Sequence, residues 1–151
     1  MIECRFLPIQ GRSKRLALPI HNDLKIITMK IPNGHQAVMP YLILDQARQF
    51  MEFAQKALDA NITMLNENPD GSLGHCEMDI HGCTIMFSSA TPQWPQRNAD
   101  SFIYVENADE TFRKALEAGA DVVMELSNQS YGRTAGVKDP AGNIWWLTSI
   151  S

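Results

Sequence analysis

An α+β fold built from two βαβββ modules is predicted by three features of the chain: a repeated segment, the same order of strands and helix around each copy, and a proline-bearing linker between them. The repeat is "QKALDANI", Gln55 to Ile62, against "RKALEAGA", Arg113 to Ala120. Each copy closes an amphipathic stretch with Lys-Ala-Leu, an acid and Ala, then a helix-stopping Asn61 or Gly119, then an extended run.

In the first module, residues 37–89, "AVMPYLIL" reads as a strand and Asp45 as an N-cap. "QARQFMEFAQKAL" is a helix with Phe50, Phe53, Ala54, Ala57 and Leu58 on one side. "ITMLNE" is the second strand, and a Pro-Asp-Gly-Ser loop leads to the hairpin "LGHCEMDI" and "CTIMFSS". Its two-residue His81-Gly82 turn fits a primed type. In the second module, residues 100–149, "DSFIYVE" is a strand, "ADETFRKALEAG" a helix and "DVVMEL" a strand. "GRTAGVK" and "NIWWLTS" then pair around a "DPAG" turn, where Pro140 presets one backbone angle and Gly142 accepts a left-handed one. The linker is "ATPQWPQRN".

At 151 residues, 44% apolar and 20% charged, the chain suits one globular domain rather than a disordered or fibrous protein. No apolar run approaches the roughly 20 residues of a bilayer span, so no membrane partner is expected. Cys4, Cys76 and Cys83 are odd in number and lack CxxC spacing, which argues against a disulfide framework and a zinc knuckle and points to the cytoplasm. The net charge of -4 is uneven: Met1 to Thr28 carries +3 and the remainder -7. Such an acidic body repels nucleic acid and favours neutral or cationic small molecules. Residues 1–28 have neither the apolar core of a secretory signal nor a sustained period. They are expected to be a loosely attached or disordered arm ahead of a domain at 29–151.

Four motifs fall in order on the duplicated module: "PYL" at Pro40 to Leu42, "HCE" at His75 to Glu77, "YGR" at Tyr131 to Arg133 and "DPAGNIW" at Asp139 to Trp145. This pattern resembles the vicinal oxygen chelate superfamily, the group of glyoxalase I, bleomycin-resistance proteins and extradiol dioxygenases, and within it the PhnB-like branch. The resemblance covers about Lys30 to Ser149. It implies that each sheet curls into half a barrel with its helix on the convex side and a cavity on the concave side. It also implies a homodimer that completes its cavities across a two-fold axis.

Strand parity then sorts the residues. Cys76, Met78, Ile80, Cys83, Ile85 and Phe87 form an apolar set expected under the helix, with Cys76 and Cys83 as small core residues. His75, Glu77, Asp79, Thr84, Met86 and Ser88 form a mixed set expected to face the cavity. Consecutive residues of a strand point to opposite faces, so Trp145 and Trp146 cannot share a side. The resemblance places Trp146 in the cavity and Trp145 in the packing layer.

In metal-using members one ligand comes from each of four strands, and these positions fall on Met39, Met86, Asp100 and Trp146. Only Asp100 suits a hard divalent ion, since thioethers prefer soft copper(I) and an indole offers no lone pair. The family metal is therefore expected to be lost and no cofactor is expected. The alternative is an ion rebuilt on His75 and Glu77 with an oxygen from Asp100. That set lacks a second histidine, because His35 precedes the first strand and His81 lies in a turn.

Met39, Met86, Phe102 and Trp146 would form an adaptable apolar cage for a ligand, or else simply fill the barrel. Tyr41 and Tyr104 have cavity-facing parity, and their hydroxyls are candidate ligand or interface contacts. His75 and Glu77 are a candidate acid-base or hydrogen-bonding pair, against a strand pair that satisfies itself. Arg133 would clamp an anionic group or anchor a salt bridge. Two readings follow: a metal-free dimer that binds an aromatic or cationic small molecule, or a lyase, isomerase or dioxygenase relative that uses His75 and Glu77.

Overall fold

The structure, a computed structural model, describes residues 29–150. The arm expected at residues 1–28 lies outside them. In chain order the elements are β1 (Tyr41–Leu44), α1 (Ala47–Ala57), β2 (Asn61–Glu67), β3 (Leu73–Ile80), β4 (Cys83–Ser89), β5 (Asp100–Tyr104), α2 (Ala108–Glu117), β6 (Asp121–Gln129), β7 (Gly132–Lys138) and β8 (Ile144–Ser149). Two four-stranded sheets result, ordered β1-β4-β3-β2 and β5-β8-β7-β6. In each, the first strand runs parallel to the last and the others are antiparallel.

The β3–β4 hairpin has the expected register: Cys76 opposite Phe87, Glu77 opposite Met86, Met78 opposite Ile85. Its turn is of the primed kind, with φ of 51° at His81 and 84° at Gly82, the twist that antiparallel strands require. Cys76, Met78, Ile80, Ile85 and Phe87 are buried, as their parity demands. Cys83 is not. It is the first residue after the turn, at the closed end of the hairpin, and it is exposed rather than core.

Three local expectations are corrected. The first strand begins at Tyr41, not Ala37. Pro40 has no N–H to donate, although its carbonyl accepts from the Met86 amide at 3.0 Å. Asp45 does not cap α1; the capping position is Gln46, and no side chain bonds there. The left-handed residue that ends α1 is Asp59, at φ 52°, and Asn61 already opens β2. By contrast, α2 is capped by Asn107, whose side chain accepts from the Glu110 amide, and it ends at Gly119 with φ 94°.

Both helices and the convex faces of both sheets share one buried cluster. Phe50 of α1 joins them: its ring meets Phe87 of β4 edge-on at 5.0 Å and lies nearly parallel to Trp145 of β8 at 6.2 Å. Burying such a ring contributes roughly 1.5–3 kcal/mol. Because the modules pack through their convex sides, their concave faces point away from this core. Tyr41, Met64, Phe102 and Tyr104 on those faces are about half exposed in the single chain. The open edge of β1 is covered by the linker, where Ile43 and Arg97 exchange backbone hydrogen bonds.

Candidate functional site

Register places matching rows of side chains across the two concave faces. In the first module the row is Tyr41, Met86, Glu77 and Met64. In the second it is Phe102, Trp146, Gly136 and Met124.

The first row holds a polar cluster. Glu77 is only 6% exposed, and both its oxygens are engaged: His35 Nε2 lies 2.9 Å from Oε2 and His75 Nε2 lies 3.1 Å from Oε1. These two contacts hold the Glu77 carboxyl below its ordinary range, His35 contributing most and His75 next. The hydroxyl of Tyr41 lies 3.4 Å from His75 Nδ1, and the two rings stack at 5.8 Å. By sequence His35 lies outside the sheet, ahead of the first strand. It reaches the face because its loop is pinned to the hairpin, the Thr84 hydroxyl donating to the Gly34 carbonyl and the Gln36 amide donating to the Gly82 carbonyl. On the opposite side of β3, burial first and the Glu77 charge second push the Cys76 thiol up to about 11, so it is no nucleophile at neutral pH.

A depressed carboxyl contributes stability that is present above its unfolded value, 4.5, and is lost as pH falls through the folded value. Glu77→Gln should therefore flatten the dependence of unfolding free energy on pH below that point. A profile identical to wild type in acid would show that the two imidazoles do not stabilise the anion.

The second row is aromatic. The Trp146 ring lies against Gly136, where a Cβ would come within 2.7 Å of it. Phe102 meets Tyr104 edge-on at 5.2 Å and Tyr131 at 6.2 Å. Tyr131 lies in the turn between β6 and β7, so an aromatic side chain from another strand pair joins the row. Tyr131 opens the "YGR" motif, and no strand alternation marks it as a site residue. Thr134 and Thr148 bond each other at 2.8 Å beneath. A separate groove of about 510 Å³ between the modules is lined by Val38, Pro40, Cys83, Phe102, Tyr104 and an edge of Trp145, without Trp146.

Trp145 points the other way and is buried. Its indole N–H donates to Asp139 Oδ2 at 2.9 Å, and Asp139 also accepts from the Ala141 and Asn143 amides and from the Asn143 side chain. The "DPAGNIW" motif is thus a turn whose carboxylate anchors the packing-layer indole.

Two candidates fall elsewhere. Arg133 has the parity of Ala135 and Val137, so it lies on the helix side of the sheet. It forks onto Asp109 of α2, with Nη2 donating to Oδ1 at 2.7 Å, and holds that carboxyl below its usual range. Of its two expected roles, this contact is the salt-bridge anchor. Met39 precedes β1, and the residue in register with Met86 is Tyr41.

Of the four positions that the resemblance suggests for a metal, Met39, Met86, Asp100 and Trp146, Asp100 alone is an oxygen donor, exposed at the start of β5. This donor set does not fit a hard divalent ion. Among the described residues, no group of three or more His, Cys, Asp or Glu is arranged to hold a metal. None of the described helices is long and apolar enough to cross a membrane.

Two sheets of this topology, each with a helix on its convex side and a side-chain row on its concave side, define a class. Residues 35–147 match the family model of the glyoxalase/bleomycin resistance protein/dioxygenase superfamily, and the chain belongs to that superfamily. It is similar to protein Rv0887c of Mycobacterium tuberculosis, 34% identical over 132 residues, covering 80% of this chain and 77% of the relative. Among solved structures, the PhnB protein from Bacillus cereus superposes with a TM-score of 0.57 at 19% identity, covering 76% of this chain and 99% of that one. TnmS3, an antibiotic binding protein from Streptomyces sp. CB03234, superposes at 0.58 and 17% identity, covering 78% and 100%.

Proposed function

We propose that this chain is a metal-free small-molecule-binding protein of the PhnB-like branch, acting as a cytoplasmic homodimer whose concave faces hold an aromatic or cationic ligand. One observation carries the reading. The concave phase of the strands presents a thioether, an indole, a phenyl and a phenol at Met86, Trp146, Phe102 and Tyr41, where Lewis-acid chemistry would need imidazole and carboxylate. Thioethers and flat rings suit planar ligands, and the ring faces attract cations. The antibiotic-binding role of TnmS3 supports a ligand-holding function on the same fold.

The dimer is supported by half-exposed Tyr41, Met64, Phe102 and Tyr104, a concentration of apolar surface that a second copy would cover. The acid-base cluster of His35, Glu77 and His75 favours a second reading, an enzyme of the same superfamily working through His75 and Glu77.

Untagged protein separates the two on metal content and mass. The binding reading expects sub-stoichiometric metal, ligand binding unchanged after chelation, and sedimentation at twice the 16.9 kDa chain mass. One tightly held ion per chain, with binding lost on chelation, would overturn the metal-free part. A monomer at micromolar concentration would overturn the dimer.

A further inference from the structure

The polar cluster of the first module has a directionality that a self-satisfied strand pair does not need. An ionised carboxylate only accepts hydrogen bonds, so both imidazoles must present N–H at Nε2 to Glu77. Each neutral ring then carries its lone pair on Nδ1. For His75 this lone pair lies beside the Tyr41 hydroxyl at 3.4 Å, a long contact that an incoming donor can displace. Tyr41 itself is half exposed on the concave face. A base, an orienting carboxylate behind it and a second donor beside it are thus assembled from four residues of three segments: the loop before β1, β1 and β3.

We propose that His75 Nδ1 and the Tyr41 hydroxyl form a binding site for an acidic hydroxyl, phenolic or enolic, and that His75 takes its proton. This rests on the reading of the concave face as a ligand-binding surface. In the bound state the ligand O–H bond breaks and a new N–H forms at Nδ1. The electron pair stays on the ligand oxygen. That oxygen then accepts from two donors, the imidazolium N–H and the Tyr41 O–H, as an oxyanion does between fixed dipoles. The charge that appears on His75 is balanced at once by Glu77, which lies 3.1 Å from its other nitrogen. Net charge does not change, so the transfer needs no external acid or base.

The magnitudes select the ligand class. Among model compounds an imidazole titrates near 6.5 and a phenol near 10, a gap of about 3 to 4 units. Simple phenols would therefore bind as neutral donors, and hydroxyls that ionise near neutrality would bind as anions. The titratable groups facing this site are His35 from the loop, Tyr41 from β1, and Glu77 and Asp79 from β3. From β2 and β4, Met64, Asn66, Met86 and Ser88 bring no charge. Glu77 and His35 act through His75 and are positioning residues.

The probe pair is 4-nitrophenol, which ionises near neutrality and absorbs differently as phenolate, and 4-nitroanisole, its methyl ether without a proton. With wild-type protein in excess, bound 4-nitrophenol should show the phenolate band at least about one pH unit below its free midpoint, ten-fold in proton affinity. His75→Gln should return the midpoint to its free value. Tyr41→Phe should keep binding and lose part of the shift, and Glu77→Gln should weaken the shift more than Tyr41→Phe does. 4-nitroanisole, which has no proton to give, should bind wild type without any such spectral change. A bound midpoint equal to the free one, or a shift that survives His75→Gln, overturns the proton transfer and leaves the ligand-binding reading standing if the anisole still binds. Failure of both probes to bind wild type overturns the site and counts against the binding reading with it.

Discussion

Asp139→Ala should be among the most destabilising single substitutions in the chain, costing about 3–5 kcal/mol. The side chain is 2% exposed and receives four donors at 2.8–3.0 Å: the Ala141 and Asn143 amides, the Asn143 side-chain amide and the Trp145 indole. Truncation strands all four in a buried turn, and hydrogen bonds to a charged acceptor are worth more than neutral ones. The damage should spread, because the indole released from Asp139 is the ring that lies nearly parallel to Phe50 in the shared core. With a urea slope of about 2 kcal/mol/M, the midpoint should fall by about 1.5–2.5 M. Asp139→Asn keeps one acceptor oxygen but aims an NH2 group at donors, so a smaller loss is expected. A midpoint shift under about 0.5 M for the alanine variant would show that the turn does not depend on this carboxylate.

The second large effect is on binding. Gly136→Leu should displace the Trp146 ring, because a Cβ at this position would sit 2.7 Å and 2.9 Å from two ring carbons and 3.3 Å from the Met124 Cβ. No positive φ is required of Gly136, so the effect is steric and not one of backbone strain. Lifting the indole off the sheet costs about 1–3 kcal/mol of stability. It also removes the flat wall on which an aromatic ligand would stack, so affinity should fall by roughly ten-fold or more. Tryptophan emission should move to longer wavelength as the ring becomes wetter. Unchanged emission and affinity would mean that the ring is not held against the second sheet.

What the sequence made legible follows the range of the physics. Period-two alternation, turn chemistry and cross-strand pairing act over a few residues, and they sufficed for both modules, for the Cys76, Met78, Ile85 and Phe87 set, and for the division of Trp145 from Trp146. The misses are contacts that alternation does not encode. His35 meets Glu77 across 42 residues of chain, from a loop without periodicity, held by bonds to the hairpin that no local rule anticipates. The salt-bridge anchor at Arg133 has its partner, Asp109, 24 residues back on α2, where the parity shared with Ala135 and Val137 points it. Cys83 was assigned by alternation alone, which says which way a residue points but not whether anything covers it. Pro40 was a signal present and undervalued, since a residue without an N–H begins a strand more readily than it continues one.

The claim on which the rest depends is that Trp146, and not its buried neighbour, meets the ligand. Trp94 is 61% exposed in the linker, so Trp94→Phe leaves emission from Trp145 and Trp146 alone. In that background, a panel of planar aromatic compounds, neutral and cationic, should contain members that quench the emission saturably. The further change Trp146→Phe should abolish that response while thermal unfolding stays cooperative. Saturable quenching that persists with Trp145 as the remaining indole, or no quenching by any compound when both are present, would contradict the account.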